Sequence, residues 1–156
     1  MPSRAVIDTP LGHIALTWDD DGLTALDYVS DAPVSTPSPS SGLAAETIRQ
    51  LRQYFQDPVF GFHLPLSPQG TPFQQRVWAA LCRIPPGAPI TYGQLARHLN
   101  TGPRAIGGAC RRNPLPIIIP CHRVIPAHGG VGGYGGATRG AGPRIKQWLL
   151  VHEKNL

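Results

Sequence analysis

Hydrophobic positions change period along this chain, first alternating as in strands and later recurring every three to four residues as in helices. Over residues 4–29 the segments RAVID, HIALTW and LTALDYV are short and rich in strand formers. TPLG and DDDG separate them, with Gly12 and Gly22 able to take positive φ, so the pattern predicts a small antiparallel meander. Residues 31–42, DAPVSTPSPSSG, carry too little apolar surface to bury a face and are expected to form a mobile loop. From residue 43 to 57 the spacing of Leu43, Ile48, Leu51, Tyr54 and Phe55 is helical, and Pro58 ends it. VFGFHLPL then reads as a further strand.

A second helical block opens at Thr71, Pro72 and Gln74, a capping-box pattern with proline at the first helical position, and Phe73, Val77, Trp78 and Leu81 supply its buried stripe. After the tight connection IPPGAPI, residues 91–94 (TYGQ) repeat the cap and begin a helix carrying Leu95 and Leu99. Past NTG, Pro103 opens a third helix, RAIGGACRRN. Two short helices joined by a glycine-containing turn, the second rich in Arg104, Arg111 and Arg112, have the layout of a helix-turn-helix. Gly107 and Gly108 sit in mid-helix beside Ala109, at a cost of about 1 kcal/mol each relative to alanine. So bare a face requires something to approach the backbone closely, and a DNA groove and a packed strand satisfy the requirement equally. A closing helix is expected from Pro143, with Ile145, Trp148, Leu149 and His152 on one side.

Between these blocks lies LPIIIPCHRV. Ile117, Ile118 and Ile119, bounded by Pro116 and Pro120, predict a buried extended segment that stops at Pro120. A lone cysteine after such a run is by default a core residue, and Cys82 and Cys110 are read that way. Cys121 differs because His122 and Arg123 follow it directly and are hard to bury unpaired. Cationic neighbours favour thiolate, the nucleophilic form, so Cys121 is the candidate nucleophile. From His128 to Gly142 the chain holds eight glycines around Tyr134, a loop suited to wrapping a flat polar ligand or to lying free on the surface.

At 156 residues and 41% hydrophobic content the chain suffices for one ordinary domain or two small ones. No apolar run approaches the roughly 20 residues that span a bilayer, and MPSRAVIDTP lacks the apolar core of a signal peptide, so a cytoplasmic protein is expected. Three cysteines without CxxC argue against a disulfide framework or a cysteine-rich zinc site. The net charge of +5 conceals −5 over residues 1–70 and +10 over residues 71–156, where Glu153 is the only acid and nine of the eleven basic residues are arginine. That asymmetry points to nucleic acid as partner of the second half, although a generic basic surface fits the charge alone equally well. Charge reversal and SPQG together set a domain boundary between residues 67 and 68.

IGGACRRNPLPIIIPCHRVIP, with TPFQQRVW and ITYGQLA upstream and GYGG and KQWLLVHE downstream, resembles the O6-alkylguanine-DNA alkyltransferase family, strongly over residues 71–156 and in outline over residues 1–67. The resemblance implies an α+β chain, with a small RNase H-like scaffold domain at 1–67 and a helix-turn-helix, winged-helix-like domain at 68–156 that binds double-stranded DNA in the minor groove. It implies a suicide repair enzyme, a cofactor-free monomer, with Cys121 as alkyl acceptor. His122 would draw off the thiol proton through a water, Glu153 would orient the imidazole, Asn113 would hold the turn and Tyr92 would donate a proton toward the guanine. Arg104 would fill the stack. Ala105, Gly107, Gly108, Ala109, Arg111 and Arg112 would complete the DNA face with Tyr92, and Pro116, Val124, Gly132, Tyr134, Gly135 and Gly136 would edge the base pocket.

Three features depart from the family pattern. GGATRGAGPR before the last helix is longer than usual, Gly135 stands where some relatives have serine, and residues 1–70 hold no cysteine and only His13 and His63, so no metal is expected. Two rival functions predict different behaviour. A lesion-sensing relative without transfer would lack the cysteine, and a winged-helix regulator would bind one sequence tightly.

Overall fold

The computed structural model of the chain describes residues 3–135 and 141–154. It divides into two compact units, Met1–Gln69 and Gly70–Leu156, with the break inside the SPQG stretch. No helix among the described residues is long and apolar enough to cross a membrane.

In the first unit β1 (Ser3–Thr9), β2 (Gly12–Asp19) and β3 (Gly22–Tyr28) form an antiparallel sheet in that order, with Val6 opposite Ala15 and Leu16 opposite Leu26. Ala5 to Ile7 and Ile14 to Leu16 are each buried without a break, so these stretches lack the alternation of a half-solvated sheet. Helix α1 (Gly42–Gln56) packs on β1 and β2 and buries Ile48, Leu51 and Tyr54.

Two expectations are corrected here. The first part of residues 31–42 is held on the sheet: Val6 N–H donates to Ser35 Oγ and Ser35 N–H donates to Val6 O, both at 2.9 Å, and Ala32 O lies 2.7 Å from His13 Nδ1. An edge strand needs partners for its free amide groups, and a polar segment supplies them without burying an apolar face. VFGFHLPL forms no strand beyond a single parallel bridge from Leu66 to Leu23. The backbone of His63 is bound instead by the Gln50 side-chain amide, at 2.9 and 3.1 Å, and Pro65 has no N–H to give a ladder.

The second unit contains α2 (Pro72–Leu81), β4 (Ile90–Thr91), α3 (Tyr92–His98), α4 (Pro103–Arg111), a 3-10 turn (Cys121–Arg123), β5 (Val124–Ile125) and α5 (Ala141–Lys154). Both expected capping boxes form. Thr71 and Gln74 exchange bonds of 2.9 and 3.1 Å, and Thr91 and Gln94 exchange bonds of 2.8 and 3.1 Å. Between α3 and α4, Asn100 takes φ 55°, and its N–H and that of Thr101 cap the carbonyls of Arg97 and Ala96 in a Schellman arrangement. Trp78 anchors the packing of α2 on α4 by donating from Nε1 to Ala109 O at 2.9 Å.

Four further expectations change. Ile117 to Ile119 are buried as expected but form a turn, not an extended segment: Ile117 has φ 74° and Ile119 N–H donates to Leu115 O at 2.8 Å. Pro116 and Pro120 remove two donors from any ladder, while Asn113 bridges the turn through Leu115 N–H at 2.9 Å and Ile119 O at 2.7 Å. The ladder of this unit forms elsewhere, as a parallel pair of Ile90 with Val124 and Thr91 with Ile125. Helix α5 starts at Ala141 rather than Pro143, which stays in the first turn where its missing N–H goes unused. Its buried residues are Lys146, Leu149 and Glu153, whereas Ile145, Trp148 and His152 remain partly exposed. Cys82, expected in the core, is exposed at the C-cap of α2.

Gly22 has φ +143°, and a Cβ there would lie 2.5 Å from Pro65 O. Gly22→Ala is therefore expected to destabilise the protein by at least about 1 kcal/mol in urea unfolding, whereas Gly61→Ala, with open space around its Cβ, stays within about 0.5 kcal/mol of wild type.

Candidate active site

Cys121 opens the 3-10 turn and is buried, its N–H held by Ile119 O at 2.8 Å. Its neighbours in sequence are both engaged by Glu153, itself 1% exposed. His122 Nε2 lies 2.7 Å from Glu153 Oε2, and Arg123 donates from Nε to Oε1 and from Nη2 to Oε2, each at 2.9 Å. Arg123 Nη1 also donates to Ile84 O at 2.7 Å, tying the turn to the segment after α2.

A carboxylate clamped by a permanently charged guanidinium only accepts, so His122 carries its hydrogen on Nε2 and leaves Nδ1 as a bare lone pair. That Nδ1 is buried and has no hydrogen-bond partner among the described residues. Burial holds the imidazole below its ordinary pKa; the bond and charge of Glu153 oppose this, and the charges of Arg123 and Lys146 reinforce it. His122 is thus a neutral, oriented base.

Burial pushes the Cys121 thiol above its ordinary pKa, and the Asn113 hydrogen bond, the charge of Lys146 and a backbone hydrogen bond pull it down. This corrects the expected source of thiolate stabilisation. The cation that acts on the sulfur is Lys146 of α5, not the adjacent His122 or Arg123.

A cavity of about 480 Å³ opens beside the thiol. Cys121 shares its wall with Tyr92 of α3, with Arg104, Gly107, Gly108, Cys110 and Arg111 of α4, and with Gly133, Tyr134 and Gly135 of the glycine loop. A Cβ at Gly107 or Gly108 would meet nothing within 4 Å, so no strand packs there and the bare face opens to the cavity. Ala105 and Arg112 are exposed on or just after α4, outside the wall, while Ala109 is buried and faces the core through its bond to Trp78. Pro116, Val124 and Gly132 do not border the cavity: Pro116 is half-buried in its turn, Val124 is sealed in β5, and Gly132 runs behind the wall. Gly132 takes φ +78°, and a Cβ there would fall 3.0 Å from Pro126 Cγ and 3.6 Å from Lys146 Nζ. Gly136 lies outside the described residues. Among the described residues, no three His, Cys, Asp or Glu side chains converge to hold a metal ion.

The DNA binding domain of the 6-O-methylguanine DNA methyltransferase family matches residues 72–155, and the ribonuclease-like domain of the same family matches residues 3–68. The chain belongs to the 6-O-methylguanine DNA methyltransferase family. It is 39% identical over 156 residues to the methylated-DNA–protein-cysteine methyltransferase of Methanosarcina barkeri, with 96% of each chain covered. It superposes on the O6-methylguanine methyltransferase of Mycobacterium tuberculosis with a TM-score of 0.83 at 38% identity, covering 99% of this chain and 94% of that one. For the crystal structure of Mycobacterium tuberculosis OGT in complex with DNA the TM-score is 0.81 at 38% identity, with 96% and 91% covered. The activity is that of a methylated-DNA–protein-cysteine methyltransferase, a DNA-repair enzyme, on an α+β chain whose ribonuclease-like part precedes its DNA-binding part.

Within this family site, the sequence reading left out Lys146, Cys110 and Gly133, and it gave Arg123 only as a cationic neighbour of the thiol. A signal for the first was present: Lys146 and Glu153 occupy the same α5 face as Leu149, at i, i+3 and i+7, so two ionisable groups sit in a buried stripe. Cys110 was read as core, and it is buried, but it also lines the cavity.

Removing Arg123 leaves Glu153 buried beside a neutral imidazole. Arg123→Ala is expected to cost about 3–5 kcal/mol in urea unfolding. His122 binds protons less readily folded than unfolded, so the stability linked to it is complete above about pH 6.5 and falls as the pH drops below that value. Melting curves between pH 7.5 and 5.5 should show a steeper loss for wild type than for His122→Asn.

Proposed function

We propose that the chain repairs double-stranded DNA by rotating an O6-alkylguanine out of the duplex through the minor groove and transferring the alkyl group irreversibly to Cys121. The observation that carries this reading is a thiol in the wall of a cavity of about 480 Å³ that also presents Tyr92, Arg104 and the bare backbone of Gly107 and Gly108. The volume lies within the roughly 300–1,000 Å³ of small-ligand sites. A reactive atom inside a stacked duplex is out of reach, so the base must leave the helix at a cost of a few kcal/mol, which the insertion of Arg104 offsets.

The thiol proton passes to His122 Nδ1 through a bridging water, while Glu153 keeps the imidazole in the accepting tautomer. The thiolate attacks the O6-linked carbon in line. A sulfur–carbon bond forms as the carbon–oxygen bond breaks, and the released electron pair leaves on the guanine, which takes up one proton for the one the thiol lost. Tyr92, whose hydroxyl pKa is pushed up to about 12 chiefly by burial, stays protonated and donates toward that leaving group. Asn113 holds the turn that presents Cys121, and Gly133, Tyr134 and Gly135 edge the base. Ala105, Arg111 and Arg112 face the DNA, with phosphate contacts from the arginines. The product is a thioether, so each molecule acts once. The similarity to a relative solved in complex with DNA supports the nucleic-acid partner. Three cysteines without CxxC suit the cytoplasm.

Incubation with a duplex carrying O6-methylguanine is expected to add one methyl group to the Cys121 peptide and to remove one lesion per protein. Cys121→Ala should retain DNA binding and lose transfer. A wild-type protein that binds the duplex and leaves both lesion and Cys121 unchanged would overturn the reading in favour of a lesion-sensing binder.

A further inference from the structure

Two of the three cysteines in the chain meet at one cavity. Cys121 reaches its wall from the 3-10 turn and Cys110 from the last turn of α4. Asn113 joins them. Its N–H donates to Cys110 O at 3.2 Å, its side-chain amide donates to Ile119 O at 2.7 Å and hydrogen-bonds the Cys121 sulfur, and Ile119 O also holds the Cys121 N–H at 2.8 Å. One asparagine therefore sets both cysteines against the same space. Cys82, the third, is exposed at the C-cap of α2 and outside that wall.

Alkyl transfer uses only one of the two thiols. Cys110 is 9% exposed, and burial first and then the field of Cys121 push its thiol up to about 12, so it stays protonated at neutral pH. A buried thiol that faces no cavity is an inert small hydrophobe. Cys110 instead looks onto the space beside a more reactive sulfur, and a thiol so placed has a defined chemistry: it condenses with the sulfenic acid that an oxidant leaves on its neighbour. The cavity, about 480 Å³, admits a molecule as small as hydrogen peroxide. Cys121 is the thiol oxidised first, because the Asn113 hydrogen bond favours its thiolate, whereas only the charge of Lys146 lowers the pKa of Cys110.

We propose that Cys110 and Cys121 form a peroxide-responsive dithiol: a hydroperoxide oxidises Cys121, and Cys110 closes on it as an intramolecular disulfide that shields the nucleophile from irreversible oxidation. In the first step the Cys121 sulfur attacks the hydroperoxide, a sulfur–oxygen bond forms as the oxygen–oxygen bond breaks, and the leaving hydroxide or alkoxide takes up the proton that the thiol lost. In the second the Cys110 sulfur attacks the sulfenic sulfur, a sulfur–sulfur bond forms as the sulfur–oxygen bond breaks, and hydroxide leaves with the Cys110 proton as water. The peroxide gains two electrons and each cysteine gives one. Disulfide formation does not depend on the repair reading; only its effect on alkyl transfer does.

Hydrogen peroxide is the probe, applied to the full chain without DNA. Wild type is expected to lose the mass of two hydrogens, to yield a linked Cys110–Cys121 peptide in a non-reducing digest, and to lose carboxamidomethylation of Cys121 by iodoacetamide, which dithiothreitol restores. A disulfide tolerates Cα separations only up to about 7 Å, so the linked peptide also reports how closely α4 approaches the turn. Cys110→Ala, or Cys110→Ser if the alanine variant fails to fold, is expected to carry two or three added oxygens on Cys121 instead and to regain no labelling. Cys82→Ser should behave as wild type. Oxygen uptake on wild-type Cys121 without a linked peptide, a link to Cys82, or equal recovery in wild type and the Cys110 variant overturns the proposal. Methyl transfer from an O6-methylguanine duplex is expected to vanish on oxidation and to return on reduction. A protein that transfers no methyl group before oxidation overturns the repair reading instead, while the linked peptide still decides the dithiol.

Discussion

A single carboxylate, sealed from water, organises the catalytic end of this protein. Glu153 receives bonds from His122 and Arg123 on three donor atoms, each between 2.7 and 2.9 Å. Desolvating an ion pair costs several kcal/mol per charge, so such a cluster contributes little net stability and is instead intolerant of losing a member. The arrangement defines direction. It points the imidazole hydrogen at Glu153 and so leaves the opposite nitrogen as a bare lone pair. The proposed transfer needs a base there, because burial alone would keep the Cys121 proton in place.

Geometry comes from backbone devices of modest size. The two-residue parallel ladder of β4 and β5 fastens the strand that ends at Thr91 beside the residues that follow Arg123, and Tyr92 begins α3 immediately after it. Tyr92 therefore reaches the same cavity as Cys121 although 28 residues intervene. The turn at residues 113–119, braced by Asn113, sets the entry of the chain into the 3-10 turn. Lys146 then ties Tyr92 to the glycine loop through its bonds to the Tyr92 hydroxyl oxygen and to Gly133 O. Opposite these walls, Gly107 and Gly108 leave α4 bare. Their helix-propensity cost of about 1 kcal/mol each is met by packing on the other side of the helix, where Ile106, Ala109 and Cys110 are buried.

The three-stranded meander, the helices and both capping boxes were legible in the amino-acid sequence, because each depends on residues only a few positions apart: apolar period, a Thr-x-x-Gln pair, a Pro at a helix start. Local reasoning failed wherever a distant partner decided the outcome. The isoleucine run looked like a strand because three β-branched residues favour one, but Asn113 and two prolines made a turn of it. The Pro/Ser segment looked free because nothing in its own residues announces the unpaired edge of β1 that it covers. The apolar stripe of α5 was placed one position off, since the burial of Lys146 and Glu153 follows from what lies across from them. Thus the sequence by itself determined that a thiol, an imidazole and a carboxylate were present, while the tertiary structure alone decided which charged groups lie around the sulfur. Electrostatic influence follows distance and burial, and adjacency along the chain guarantees neither.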